Sequence, residues 1–311
     1  MRLISFEHSG RASFGAVVET AVDGPAPPAG WHADAAIVDL GARLPRYADL
    51  RALLAAEAAG EPALAQAREL VLRAARSPAS ADLRAADLTL CRPIPFPEKI
   101  VCVGVNYAER NEEYQDASER PKYPSLFMRA PDSLVAHGAT ILRPPESAQL
   151  DYEGEIAIVI GKGGRRIPAE RAREHVAGLT IMNEGTIRDW LRHGKFNVTQ
   201  GKNFAASGAI GPWIVTEDRC PDFGDMRLAT RVNGELRQQD STRRMMFPLA
   251  ELIRYISTFM VLKPGDLIAT GTPTGAGARF DPPRWLVPGD TVEVEVDGIG
   301  VLSNAVADEA A

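Results

Sequence analysis

Apolar residues along this chain come in short runs, broken by glycine, proline and asparagine. Arg2–Phe6, Ala12–Glu19, Ala36–Leu40, Leu179–Met182, Arg227–Asn233 and Thr291–Val296 have the length and composition of strands. Lys99–Val105 and Ile156–Ile160 read as strands of a buried type. Turn residues punctuate them, at His8-Ser9-Gly10-Arg11, Asn233-Gly234 and Asp297-Gly298. Leu50–Ala58 and Pro62–Ala75 are rich in Ala, Leu, Glu and Arg and predict helices, as do Pro168–His175 and the amphipathic Pro248–Phe259. Asn106 to Tyr114 predicts a further helix start, with asparagine as the cap and acids in the first turn. Helices are few and do not alternate with strands. The pattern therefore predicts a mixed α/β, β-rich fold, not a doubly wound sheet. The proline-rich Cys91–Pro97 reads as an extended linker, so the expected organisation is a small α+β domain over 1–95 and a larger one over 96–311.

Composition narrows the functional classes. A formal net charge of −6 with a pI near 5.5 disfavours non-specific nucleic-acid binding, and an anionic substrate would need local cations. No run approaches a membrane span, and the N-terminus has no apolar segment of the signal-peptide type. Three scattered cysteines, Cys91, Cys102 and Cys220, without a CxxC pair fit a reduced, cytoplasmic chain. His8 and His32 stand alone and read as surface or structural residues.

The chemistry concentrates between residues 147 and 203. Asp151, Glu153 and Glu155 alternate with Tyr152, Gly154 and Ile156 just before the apolar run, and a period of two puts Glu153 and Glu155 on one face. Carboxylates so spaced suit a hard divalent cation such as Mg²⁺ or Mn²⁺. Glu184 supplies another acid and Lys202 a cation further on. Taken alone, the alternation also fits a solvated edge strand.

Seven motifs in order carry a resemblance. Gly104-x-Asn106-Tyr107, Ser125-Leu-Phe-x-Arg129, Asp151-Tyr-Glu153-x-Glu155, Asn183-Glu184 with Arg188-Asp189-Trp190, Gly201-Lys202-Asn203-Phe204, Gly211-Pro212-Trp213 and Ala269-Thr-Gly-Thr-Pro273 resemble the fumarylacetoacetate hydrolase family over 99–304. The resemblance implies a β-roll (mixed β-sandwich) catalytic domain and a homodimer. It also implies a Mg²⁺ or Mn²⁺ site on Glu153, Glu155 and Glu184, the last replacing a more usual aspartate. It implies a small 2-oxo or diketo acid substrate, with Lys202 stabilising developing negative charge. Tyr107, Arg129 and Thr272 would bind substrate, Arg129 by holding a second carboxylate where a lysine is common.

One departure bears on the reaction. Hydrolytic relatives place a water-activating histidine where this chain has Arg110, although its glutamate partner position is kept as Glu113. Arginine stays protonated and cannot be a general base. Glu113 or Glu109 could serve directly, His137 or His193 could reach the site, or the reaction could need no activated water, with Arg110 pairing a substrate carboxylate. The sequence thus points first to a metal-dependent hydrolase of a carbon–carbon bond in an acylpyruvate-type acid. The alternative is a decarboxylase, isomerase or tautomerase of a 2-oxo dicarboxylic acid; a non-catalytic binding protein is the outlying reading.

Overall fold

The structure is a computed structural model that describes residues 1–18, 31–77, 80–108, 121–194, 197–220 and 222–310. Its centre is the Gly154–Ile160 strand, buried along its whole length. A strand of Ile, Ala and Val with no polar residue after Glu155 has to be covered on both faces, and this one is. Ile156, Ile158 and Ile160 join one core while Ala157 and Val159 join another. Burying each large side chain contributes about 1.5–3 kcal/mol.

The strand pairs antiparallel with Val176–Asn183 on one side and Leu267–Ala269 on the other. The sheet continues through Gly208–Thr216, Arg2–His8, Arg11–Val17 and Ala36–Asp39 in one direction, and through Ile100–Val103 and Leu126–Met128 in the other. A five-stranded sheet lies against the face carrying Ile156 and Ile158. Its strands run Glu235–Ser241, Arg227–Val232, Thr291–Val296, Gly300–Asp308 and Ile141–Arg143. Helices Leu50–Ala58 and Ala63–Arg76 cover the opposite face through Leu50, Leu53, Leu54, Ala63 and Ala67. The architecture is mixed α/β and strand-rich, in layers of sheet, sheet and helix. None of the described helices is long and apolar enough to cross a membrane.

Several elements differ from the sequence pattern. Residues 1–95 do not stop at their own boundary, because Arg2↔Val215 and Leu3↔Ile214 pair the first strand with the central sheet. The strands on either side of His137-Gly138 lie in different sheets. Leu134–Ala136 runs beside Gly208–Ile210, whereas Ile141–Arg143 runs beside Val306–Asp308. Ala169–His175 winds as a 3-10 helix. Asn106 caps no helix among the described residues. Its amide donates to Phe247 O and Thr270 O and its Oδ1 accepts from Phe247 N, tying three loops together. The rest of that expected helix, from residue 109, lies outside the described residues. The Asn233-Gly234 hairpin forms as read, with both residues at positive φ, 53° and 79°.

Candidate active site

Where the central strand begins, the chain leaves an extended turn and three carboxylates converge. Asn183 Oδ1 accepts from the Glu153 amide at 3.0 Å, and the Glu184 amide donates to Glu153 O at 2.7 Å. These two bonds place Glu184, at the end of its strand, beside Glu153 and Glu155. One oxygen from each of the three lies within 4.8 Å of the others, and all three residues are buried. The solvated-edge reading of the acidic alternation is therefore overturned: Glu155 is 1% exposed and Glu153 3%.

Lys202, on the short helix Thr199–Lys202, donates to Glu153 Oε2 and Glu184 Oε2, both at 2.7 Å. Arg188 bridges Asp151 Oδ2 (Nε, 2.7 Å) and Glu153 Oε1. Asp151 also accepts the amides of Gly277 and Ala278, so it anchors the neighbouring turn and Arg188. Gly271 N donates to Glu155 Oε2 at 2.8 Å. Among the described residues, four carboxylates thus face two cations, an excess of two formal negative charges in a buried site.

That excess shows in the titration of the cluster. Burial first, then Glu184 and Glu153, push the Glu155 carboxyl well above its ordinary range. Burial alone would lower Lys202, but Glu153 and Glu184 outweigh it and hold the ammonium above its usual value. The Cys102 thiol, buried and next exposed to the charge of Glu184, is raised well above its ordinary value and stays neutral.

The donor set fits a hard divalent cation. Glu155 Oε1 and Glu184 Oε1 are buried and have no hydrogen-bond partner among the described residues. A buried carboxylate oxygen without a partner is costly, and a bound cation would satisfy both. Glu184 reaches the cluster despite its extra methylene.

The other expected site residues are placed as follows. Thr272 is fully buried and accepts from Gln238 at 2.8 Å. Tyr107 is fully buried, and its hydroxyl has no partner among the described residues; burial first, then Asp240 and Glu155, keep it neutral. Arg129, read as a ligand for a second substrate carboxylate, is 3% exposed and engaged within the fold. It donates to Ser133 Oγ at 3.0 Å, Gly185 O at 2.8 Å, and Ser133 O and Ser207 Oγ at 3.3 Å each. It supports the turn after Glu184. Arg110, Glu113 and Glu109 lie outside the described residues.

No histidine belongs to the carboxylate cluster among the described residues. His137 Nδ1 accepts from Ser303 N, and burial lowers this ring to about 4. His193 packs on Trp190 at 4.3 Å between centroids, and Trp190 meets Phe204 edge-on at 4.9 Å. Sequence reasoning gave Arg188 no separate role and passed over Gln238 and the Gly271 amide. Arg188 stood in a quoted motif, but its partners Asp151 and Glu153 are 37 and 35 positions away.

The profile described as Fumarylacetoacetate (FAA) hydrolase C-terminal matches residues 99–307. The chain belongs to the fumarylacetoacetate hydrolase family. Oxaloacetate tautomerase YisK of Bacillus subtilis (strain 168) is 42% identical over 224 residues, which cover 71% of this chain and 74% of that protein. Mitochondrial oxaloacetate tautomerase FAHD2A of Homo sapiens is 38% identical over 249 residues, covering 79% of this chain and 77% of its own length. Among solved structures, the fumarylacetoacetate hydrolase from psychrophilic Exiguobacterium antarcticum is similar with a TM-score of 0.78 at 33% identity, over 99% of this chain and 100% of that one. The chain is thus an enzyme of this family with three buried carboxylates suited to a divalent cation, and its relatives include tautomerases as well as hydrolases.

Proposed function

We propose that this chain is a divalent-metal-dependent keto–enol tautomerase of a 2-oxo dicarboxylic acid of the oxaloacetate type. The observation that carries the reading is a buried carboxylate triad suited to a cation that no histidine joins among the described residues, in a chain that has Arg110 where hydrolytic relatives have the water-activating histidine. Hydrolysis, the first expectation from sequence, needs a group that activates water. Tautomerisation needs only a proton moved between the enol oxygen and C3. Relatives named oxaloacetate tautomerase at 42% and 38% identity support the same reading.

In this reading Glu153, Glu155 and Glu184 hold Mg²⁺ or Mn²⁺. When bound, the cation supplies Lewis-acid polarisation of substrate oxygens. Lys202 keeps two of these ligands in place with two N–H groups and has a third for a substrate oxygen that gains negative charge. Thr272 and Tyr107 bind the substrate from the enclosing loops. Glu113 carries the proton to and from C3, and Arg110 pairs with the distal carboxylate. Arg129 acts indirectly, through the backbone beyond Glu184. The same reading takes the protein as a cytoplasmic homodimer acting on a small molecule, with no nucleic-acid or membrane partner.

Decay of the enol absorbance of freshly dissolved oxaloacetate tests it. The protein should accelerate the decay, a chelator should abolish the acceleration, and Mg²⁺ or Mn²⁺ should restore it. An uncatalysed rate with saturating metal would contradict the proposal.

A further inference from the structure

The Glu235–Ser241 strand lies at the edge of the five-stranded sheet, and Gln238 is its one buried residue, at 1% exposure. The pairing with the Arg227–Val232 strand slips between Thr230 and Arg231, which face Gln238 and Leu236. An extra residue on one strand re-aims the side chains beside it. Here it accompanies a carboxamide turned in from a strand whose other residues are exposed or half-buried.

That carboxamide reaches three groups. Gly154 N donates to its Oε1 at 2.9 Å, and its Nε2 donates to Thr272 Oγ1 at 2.8 Å and to Pro273 O at 2.9 Å. The partners fix the amide orientation, because a backbone N–H only donates and a carbonyl only accepts. Both Nε2 hydrogens are therefore committed, and Thr272 Oγ1 is an acceptor toward Gln238. The Thr272 proton is left to donate elsewhere, and no described residue takes it. Gly154 separates Glu153 from Glu155, and Gly271, just before Thr272, donates to Glu155 Oε2.

We infer that Gln238 is a positioning residue that clamps the Glu153–Gly154–Glu155 backbone to the Gly271–Pro273 loop and turns the Thr272 hydroxyl into a hydrogen-bond donor for the substrate. The inference rests on the cation-site reading above. It adds a selection rule: the substrate atom that meets Thr272 is an acceptor, a carboxylate or oxo oxygen, and not an N–H or O–H donor.

Gln238→Met is close in shape and removes all three bonds. Mn²⁺ binding without substrate, read from the electron paramagnetic resonance of the free ion, should weaken by about 10- to 100-fold. Thr230→Val alters a neighbouring buried threonine whose hydroxyl has no partner, and it should keep wild-type affinity. KM for oxaloacetate should rise in Gln238→Met, and Thr272→Val should add little to that rise. If Gln238→Met does not unfold cooperatively, Gln238→Glu replaces it: the acceptor for Gly154 stays, both donors go, and Thr272→Val should again add little to a raised KM. Wild-type Mn²⁺ affinity in Gln238→Met, or additive KM effects with Thr272→Val in either variant, would overturn the clamp. Glu155→Gln separates the two readings. If it too binds Mn²⁺ normally, the cation site is wrong; if it alone loses Mn²⁺, the clamp is wrong.

Discussion

Glu155 sits in a strongly unfavourable environment for a charged carboxylate. It is buried, flanked by two other carboxylates, and has one oxygen bonded only by the Gly271 amide. Its raised carboxyl means that the metal-free site holds a proton at pH values where a free glutamate, near 4.3 by typical values, has lost it. A cation must displace that proton. Cation binding should therefore release a proton, and apparent affinity should climb with pH until the metal-free carboxyl is itself ionised. Titration calorimetry of Mn²⁺ in buffers of different ionisation enthalpy measures this release; a binding heat that does not change with buffer would contradict it. Glu155→Gln, equal in size, should lose Mn²⁺ binding by at least about 10-fold. At this scale the carboxylate cluster was legible, because carboxylates alternating before an apolar run have a small set of uses. Arg129 was misread, since nothing local tells a substrate-binding arginine from one bonded to Ser133, Gly185 and Ser207 across the fold. Gln238 was passed over for the same reason: its partners lie 84, 34 and 35 positions away.

The elements were read well where local chemistry decides them. Asn233-Gly234 forms its hairpin because both residues tolerate positive φ, and Leu249–Phe259 forms a helix with Leu249, Leu252, Ile253 and Ile256 buried at helical spacing. They were read poorly where tertiary bonds take over, as at Asn106, whose carboxamide joins Phe247 and Thr270 and caps nothing described. Gly154 is a sharper case. It looked like a spacer between two acids, yet there the central strand packs against the five-stranded sheet with no room for a side chain. A Cβ there would meet Thr230 Oγ1 at 2.1 Å and Val294 Cγ1 at 3.0 Å. Gly154→Ala should destabilise the protein by about 1–3 kcal/mol through overpacking. It should also weaken Mn²⁺ binding, since the flanking residues are the proposed ligands. Urea unfolding with and without Mn²⁺ reads both effects, and an unchanged midpoint in the metal-free protein would refute the contact.

At the scale of the whole molecule, the change of character near residue 95 suggested two domains, while the strand pairing joins what composition separates. The Gly208–Thr216 strand takes Arg2–His8 as its neighbour, and Ile4, Phe6, Val17 and Ile37 share a core with Ile156 and Trp213. A fragment of residues 96–311 would bare that strand edge and the sheet face that Leu50, Leu53, Leu54, Ala63 and Ala67 cover, and it should lose cooperative unfolding; a sharp transition like that of the full chain would contradict this. Family and fold class were legible because seven motifs occur in order. The reaction was less so: it turns on Arg110, and the sequence alone favoured hydrolysis, whereas the site and the relatives favour tautomerisation. The most direct measurement follows oxaloacetate by nuclear magnetic resonance in D₂¹⁸O, with Mg²⁺ and enzyme present. The account predicts accelerated exchange of the C3 hydrogens with the four-carbon acid intact. Enzyme-dependent pyruvate and CO₂, or ¹⁸O in a carboxylic acid released by cleavage, without that exchange, would contradict it.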